Sequence, residues 1–125
     1  MAKRIMKKVI KDKNLENIKV LSRGLFATGE NINPNAKYAL KELGFQATNH
    51  KSVKLKKIDK NTLYVTMNEK QKESIDTKKV VSFASLIGKE IEDPYGKDKE
   101  YYLQTAKDIL KGTNILVEKL ELWRW

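Results

Sequence analysis

The sequence has 125 residues, 40% hydrophobic and 34% charged, which fits one globular domain over residues 1–125. It contains no cysteine, which excludes disulfides and thiol nucleophiles within these residues, and its single histidine leaves little for metal binding, so we predict no metal and no cofactor. No stretch approaches the roughly 18 apolar residues of a membrane span. Because the first ten residues also lack the apolar run of a secretory signal, we expect a cytoplasmic protein without a membrane partner.

The formal net charge of +10 raises the question of an anionic partner. All but three of the 26 basic residues are lysine, spread along the chain as well as clustered at 3–13 and 51–60. Base reading and bidentate phosphate clamping favour arginine, which occurs only at Arg4, Arg23 and Arg124. The composition therefore favours a solvated lysine-rich surface over a nucleic-acid interface, although such a field would attract a phosphate-bearing substrate.

The first half of the chain predicts a helix, a strand and a second helix. Apolar residues within 1–13 recur at the spacing of an amphipathic helix. The segment 18–24 is rich in β-forming residues and ends at a glycine, which predicts a buried strand. The clearest helix, 34–43, opens with a proline, follows Asn33 as its cap and is closed by Gly44.

The second half of the chain predicts strands that alternate with helices. A short β-branched run at 62–67 predicts a strand covered on both faces, and a polar helix follows at 69–75. The segment 79–85 predicts another strand, and helical spacing returns from 99 to about 120, with Gly112 as a weak point. This alternation predicts an α/β fold with a mostly parallel sheet.

The stretch 91-IEDPYGKDKEYY-102 contains the clearest candidate for chemistry, which is Asp93. The proline after it biases Asp93 away from helical backbone, and Gly96 allows the chain to turn, so the carboxylate is expected on a loop before a helix. In doubly wound sheets, ligand sites gather beyond the carboxyl ends of the strands, where this loop would follow the 79–85 strand. The tetrapeptide alone is a common turn.

Four segments in order extend this reading from about residue 1 to about residue 110. They resemble the low-molecular-weight protein tyrosine phosphatase family, including its arsenate-reductase relatives: 22-SRGLFATGENINPNAKYALKELGF-45, 49-NHKSVKL-55, 63-LYVTMNEKQKESI-75 and 79-KVVSFASLIGKEIEDPYGKDKEYY-102. The resemblance implies a three-layer α/β/α fold with a four-stranded parallel sheet. It also implies hydrolysis of phosphotyrosine proteins or aryl phosphates through a cysteinyl-phosphate.

The resemblance assigns roles to five residues. Asp93 matches the general acid that protonates the leaving phenolate and later helps to activate water, a contribution of typically 10² to 10⁴ in rate. Tyr95 would flank the substrate ring at the pocket rim, with a partly buried loop aromatic as the alternative. Phe26 would form a pocket wall, and His50 and Ser22 would support the phosphate loop by hydrogen bonding.

The nucleophile of the family has no counterpart in this sequence. Family members begin with a central strand that leads into a Cys-x5-Arg phosphate loop, then Ser-Pro-Met-Ala and a helix, and here Met1 and Ala2 match the last two positions. We therefore expect this first strand and the phosphate loop to be missing, and the chain to lack phosphatase turnover. The arsenate-reductase branch is disfavoured, because its chemistry uses additional cysteines.

Three further expectations concern partners. A missing central strand would expose strand edges and favour self-association. The tail 115-ILVEKLELWRW-125, with Trp123 and Trp125, would dock on the domain's own surface or on another chain. The alternatives to a phosphatase relative are a non-catalytic phosphate-recognition or regulatory protein and, on charge alone, a nucleic-acid binder.

Overall fold

The computed structural model of the chain describes residues 1–15, 18–23, 31–46 and 52–123. Over these residues the chain forms helices and two short strands, and helix α3 lies between the two strands in the chain, as in the predicted α/β fold. The elements in chain order are α1 (Ala2–Asp12), α2 (Pro34–Glu42), β1 (Tyr64–Thr66), α3 (Glu69–Glu73), β2 (Val80–Ser82), α4 (Phe83–Ile87) and α5 (Lys99–Trp123).

The two strands pair in parallel, as predicted, with Tyr64 beside Val80. The N–H of Tyr64 donates to the carbonyl of Lys79 at 2.9 Å. Because backbone groups of successive strand residues point to opposite sides, those of Leu63 and Val65 point away from β2. Within the described part of the chain, no third strand pairs with that edge of β1.

The core lies between the long helix α5 and three shorter helices. α5 packs against α1, α2 and α4, whereas α3 contacts the two strands. The buried core side chains come mainly from α1, α2, α4 and α5, and they include Ile5, Ala39, Leu40, Phe83, Ile109 and Val117. This distribution explains why α1 and α2 show apolar stripes in the sequence, because each covers one face of α5.

The predicted start of α2 is confirmed by its backbone geometry, and the helix ends at Glu42, one residue before the predicted end. The side-chain Oδ1 of Asn33 accepts a hydrogen bond from the N–H of Asn35 at 2.8 Å, and proline occupies the first helical position. Gly44 follows the helix with φ of +80°, a conformation that glycine adopts without strain. Local capping chemistry therefore determines where α2 begins and ends.

The predicted strand at 79–85 is wrong beyond Ser82, where α4 begins. Ser82 is fully buried, and its Oγ accepts a hydrogen bond from the N–H of Ser85 at 3.0 Å. The same hydroxyl donates to Oε1 of Glu69 at 2.6 Å. The N-cap preference of Ser82 thus overrides the β-propensity of the residues after it.

β1 is shorter than the predicted 62–67 strand. The N–H of Met67 donates to the side-chain Oε1 of Gln71 at 2.9 Å, which takes Met67 out of the ladder. Tyr64 and Val65 are half-buried, so the expectation of a strand covered on both faces is also wrong. The predicted helix at 69–75 is confirmed as α3, two residues shorter at its end.

The predicted strand at 18–24 is also wrong for its described residues, 18–23, which form no strand. Their exposure still alternates, with Ile18, Val20 and Ser22 half-buried and the residues between them exposed. A strand requires hydrogen bonds to a neighbour, and no described strand lies beside this segment. The final position of the prediction, Gly24, lies outside the described residues.

The helix α5 continues through Gly112, which does not act as a break. A Cβ at this position would lie 2.6 Å from the Cδ1 ring carbon of Phe83, a distance that carbon atoms do not tolerate. Glycine in a helix costs about 1 kcal/mol relative to alanine. The close approach of α5 to the buried Phe83 ring gives the physical reason for the glycine.

Candidate functional site

The loop that carries Asp93 joins α4 to α5 over residues 88–98. Gly88 ends α4 with φ of +70°, and Gly96 turns the chain with φ of +81°. The N–H of Lys97 donates to the carbonyl of Pro94 at 2.9 Å, which closes the turn. As predicted, Asp93 therefore lies on a turn that leads into a helix.

The carboxylate of Asp93 is exposed, whereas residues on both sides of it are buried. Ile91 is 3% exposed and belongs to the core, and Pro94 is also buried. One carboxylate oxygen, Oδ1 of Asp93, accepts a hydrogen bond from the N–H of Tyr95 at 3.0 Å. The loop is thus anchored at two points and presents the acid to solvent between them.

The side chain of Asn68 joins this loop to the end of β1. Its Nδ2 donates to the carbonyl of Ile91 at 3.2 Å, and its Oδ1 accepts from the N–H of Gln71 at 2.9 Å. Asp93 therefore lies near the carboxyl end of a parallel strand, the region where ligand sites of α/β sheets form. Sequence reasoning did not single out Asn68, although an asparagine three residues before a glutamine at a helix start is a capping signal.

Two tyrosines are close to Asp93. The ring of Tyr95 is 80% exposed, so the alternative of a partly buried loop aromatic is wrong. Tyr102 is buried on α5, and its burial, followed by the charges of Asp93 and Tyr95, raises its pKa above the ordinary value. The buried phenol of Tyr102 therefore lies within reach of the charge of Asp93.

The far side of the loop is attached to α2 and α5. Nδ2 of Asn35 donates to the carbonyl of Lys97 at 3.3 Å. The hydroxyl of Tyr101 donates to Oε2 of Glu92 at 3.4 Å, and partial burial together with this carboxylate raises the pKa of Tyr101. Polar contacts thus flank Asp93 on both sides of the turn.

The other predicted site residues are placed only in part. Phe26 and His50 lie outside the described residues. Ser22 is half-buried, and its carbonyl accepts a hydrogen bond from the guanidinium of Arg23 at 2.7 Å. Their proposed roles beside the phosphate loop therefore stay predictions.

The charges of Lys7, Arg4 and Arg23 all act on Lys3, near the start of α1, and we call these four residues the basic cluster. Partial burial, followed by the charges of Lys7, Arg4 and Arg23, lowers the pKa of Lys3. Mutual repulsion of this kind is relieved when an anion binds between the cations. Arg23, which follows Ser22 in the chain, therefore acts through its charge on a residue of α1.

Two kinds of site were not found in the described ranges. No group of three or more histidine, cysteine, aspartate or glutamate side chains is arranged there to hold a metal ion. Across the same residues, no helix combines the length and apolar character needed to cross a bilayer.

The parallel α/β fold places the Asp93 loop near the carboxyl end of a strand, which is where ligand sites form in sheets of this kind. The sequence model of the low molecular weight phosphotyrosine protein phosphatases matches residues 1–122. The chain therefore belongs to the low molecular weight phosphotyrosine protein phosphatase family. The resemblance and the α/β fold expected from the sequence are both confirmed.

Solved structures of similar fold agree with this assignment. A low molecular weight phosphotyrosine phosphatase from Vibrio cholerae is 26% identical, with a TM-score of 0.81 over 96% of this chain and 86% of that one. The YwlE arginine phosphatase from Geobacillus stearothermophilus is 27% identical, with a TM-score of 0.80 over 98% and 84%. A protein tyrosine phosphatase from Entamoeba histolytica, 21% identical with a TM-score of 0.84 over 99% and 89%, shares the fold. The search of curated proteins gave no match.

Proposed function

We propose that this chain carries the general-acid part of a phosphotyrosine phosphatase site, with Asp93 as the proton donor. The observation that supports this most directly is the exposed carboxylate of Asp93, held by the N–H of Tyr95 on a loop near the carboxyl end of β1. Expelling a phenolate is much easier when an acid protonates it as the P–O bond breaks. Tyr95, exposed beside the acid, would flank the aromatic ring of the substrate.

We further propose that the 125-residue chain does not hydrolyse phosphotyrosine by itself. The family chemistry expected for it needs a thiolate nucleophile, and the sequence contains no cysteine. The test is release of phosphate from an aryl phosphate by the purified chain in the presence of a chelator. We expect a rate equal to that of buffer, and a clear metal-independent release would overturn the proposal.

The acid role of Asp93 is tested by fusing a family strand and a Cys-x5-Arg-Ser-Pro segment in front of Met1. We expect the fusion to hydrolyse phosphotyrosine, and Asp93→Asn to lower kcat by a factor of about 10² to 10⁴. Asp98→Asn is the matched control, because Asp98 lies in the same loop and caps α5 through the N–H of Tyr101, which asparagine also accepts. An active fusion whose kcat is unchanged by Asp93→Asn would disprove the acid role.

The substrate class is tested on the same fusion. One similar structure is described as a tyrosine phosphatase and another as an arginine phosphatase. We propose phosphotyrosine, because the exposed ring of Tyr95 offers a flat apolar contact to an aromatic side chain. A preference for phosphoarginine over phosphotyrosine, measured as kcat/KM, would contradict this choice.

A second candidate function is phosphate recognition without turnover, and the basic cluster favours it. Four cations near one helix start, with the pKa of Lys3 lowered, would bind a phosphoryl group favourably. Titration calorimetry with phosphotyrosine should then give saturable binding that Arg23→Ala weakens. Binding of duplex DNA that falls steeply with salt and ignores sequence would instead indicate a nucleic-acid binder.

We also propose self-association through the open edge of β1 and a cytoplasmic location. The backbone groups of Leu63 and Val65 point away from β2, and an unpaired edge invites another strand. A cysteine-free sequence fits a compartment in which disulfides do not form. Fractionation of the source cells with an antibody to the chain would test the location.

A further inference from the structure

The side-chain amide of Asn68 uses both of its polar ends, each on a different part of the chain. Its Oδ1 accepts the N–H of Gln71 at 2.9 Å and so caps α3. Its Nδ2 donates to the carbonyl of Ile91 at 3.2 Å, in the loop that carries Asp93. An N–H on one side and a carbonyl on the other leave one orientation of the amide that satisfies both bonds.

The backbone of Asn68 is held as well. Its carbonyl accepts the hydroxyl of Thr66, a buried residue of β1, at 2.9 Å. The neighbouring N–H of Met67 is taken by the side chain of Gln71 at 2.9 Å. The Asn68 side chain therefore starts from a fixed position at the end of the strand, which a flexible side chain on a loose loop would not have.

We propose that Asn68 is the positioning residue of the acid loop, which it orients by holding the carbonyl of Ile91. Burial of the Ile91 side chain in the core fixes how close the loop lies to the core. The hydrogen bond from Asn68 to the Ile91 carbonyl fixes the orientation of the peptide plane between Ile91 and Glu92. Because Asp93 is only two residues further on, a rotation of that plane would redirect its carboxylate. The functional meaning of this role rests on the proposal that Asp93 is the general acid.

Substitutions at Asn68 separate the cap from the contact with Ile91. Aspartate and serine are both good N-caps, but neither side chain offers an N–H donor to the Ile91 carbonyl. Asn68→Ser therefore keeps α3 capped and removes the contact without adding charge, and Asn68→Asp provides a second variant. Asn35→Ala is the matched control, because it removes a similar amide-to-carbonyl bond, at Lys97, on the other side of Gly96.

The titration of Tyr102 reports the position of Asp93 without any catalysis. Burial and the charge of Asp93 raise the pKa of this phenol, so Asp93→Asn should lower it. NMR of ring-labelled tyrosine gives the Tyr102 pKa with and without Asp93→Asn, and the difference is the Asp93 effect. This difference is measured in the unaltered chain, in Asn68→Ser, in Asn68→Asp and in Asn35→Ala.

We expect the Asp93 effect to fall by roughly half or more in both Asn68 variants, because charge interactions weaken with distance, and to persist in Asn35→Ala. If Asn68 merely supported α3, the capped variants would keep the full effect, and that result overturns the proposal. Absence of the effect in the unaltered chain, or loss of the fold in both capped variants, also overturns it. Failure of Asp93 as an acid would be seen in the rates of the fusion and would leave this measurement unchanged.

Discussion

Gly112 determines how closely α5 approaches α4. The ring of Phe83 is 1% exposed and occupies the space where a Cβ of residue 112 would lie. The sequence alone presents Gly112 as a weakness in a helix, because helical propensity is visible in the sequence and the partner ring is not. The same limit applies to Asn68, whose contact with Ile91 joins residues far apart in the chain.

Gly112→Ala should destabilise the protein although alanine is the better helix former. Strain against Phe83 costs about 1 to 3 kcal/mol and the helix gains about 1 kcal/mol, so we expect a net loss of up to about 2 kcal/mol in the free energy of unfolding. Chemical denaturation of the variant and the unaltered chain measures this difference in the free energy of unfolding. Asn114→Ala, at an exposed position of α5, is the control and should not destabilise.

Addition of Phe83→Leu tests the cause of that loss. If the clash is with the ring, Gly112→Ala should cost less in the Phe83→Leu background than in the unaltered chain. Equal costs in the two backgrounds would place the strain elsewhere.

Tyr102 should make the fold sensitive to alkali. Its pKa in the folded chain is raised above the ordinary value of 10.0, so the unfolded chain loses this proton first as pH rises. The stability contributed by the neutral phenol is therefore complete below about pH 10 and is lost as pH rises through the folded pKa. In Tyr102→Phe, the free energy of unfolding should fall less steeply above pH 10.

The tyrosines Tyr38 and Tyr101 also have raised pKa values, mainly through burial. Tyr102→Phe should therefore reduce the alkaline loss without abolishing it. An identical pH dependence of the variant and the unaltered chain above pH 10 would contradict the assignment.

At the scale of elements, local capping was readable from the sequence and strand pairing was not. Asn33 and Gly44 define α2 because the signals lie within a few residues of each helix end. The segment 18–23 has the alternating burial of a strand but no ladder, because a ladder depends on a neighbour that local sequence cannot supply. The 79–85 prediction is wrong after Ser82 because the side chain of Ser82 caps a helix there, where the β-propensity of the following residues indicates a strand.

Ser82→Ala should weaken the junction between β2 and α4. The substitution removes the cap on Ser85 and the hydrogen bond to Glu69, which is itself partly exposed. We expect a loss of about 1 to 2 kcal/mol in the free energy of unfolding, measured by denaturation. Ser85→Ala is the control, because only the backbone N–H of Ser85 takes part in the cap; equal stability of the Ser82 variant and this control would refute the capping role.

At the scale of the whole molecule, the family and the α/β fold class followed from the sequence. The Asp93 loop lies before a helix as predicted, because its proline and glycine act locally. Its contact with the end of β1 was not predicted, because the sequence placed the loop directly after the 79–85 strand, and α4 separates the two. Which strands pair in the sheet could not be predicted from local sequence. One edge of β1 is without a strand in the described part of the chain, and we expect this edge to determine whether the chain self-associates.

Self-association should depend on the edge of β1. Leu63 is 38% exposed, and its backbone groups point to the open side. A lysine there repels an incoming strand, so Leu63→Lys should shift the chain towards monomer in sedimentation velocity over a range of concentrations. Tyr95→Lys makes the same charge change on an exposed residue of the loop over residues 88–98, outside β1, and should leave association unchanged; a concentration-independent monomer without any substitution would end this proposal.

The packing of α5 against α1, α2 and α4 has a consequence for synthesis. The ribosome makes α5 after all three helices that it covers, so the apolar sides of those helices stay bare until α5 has emerged. Packing of the core is therefore expected to wait for α5, and chaperones that shield nascent chains should engage this polypeptide until α5 has docked.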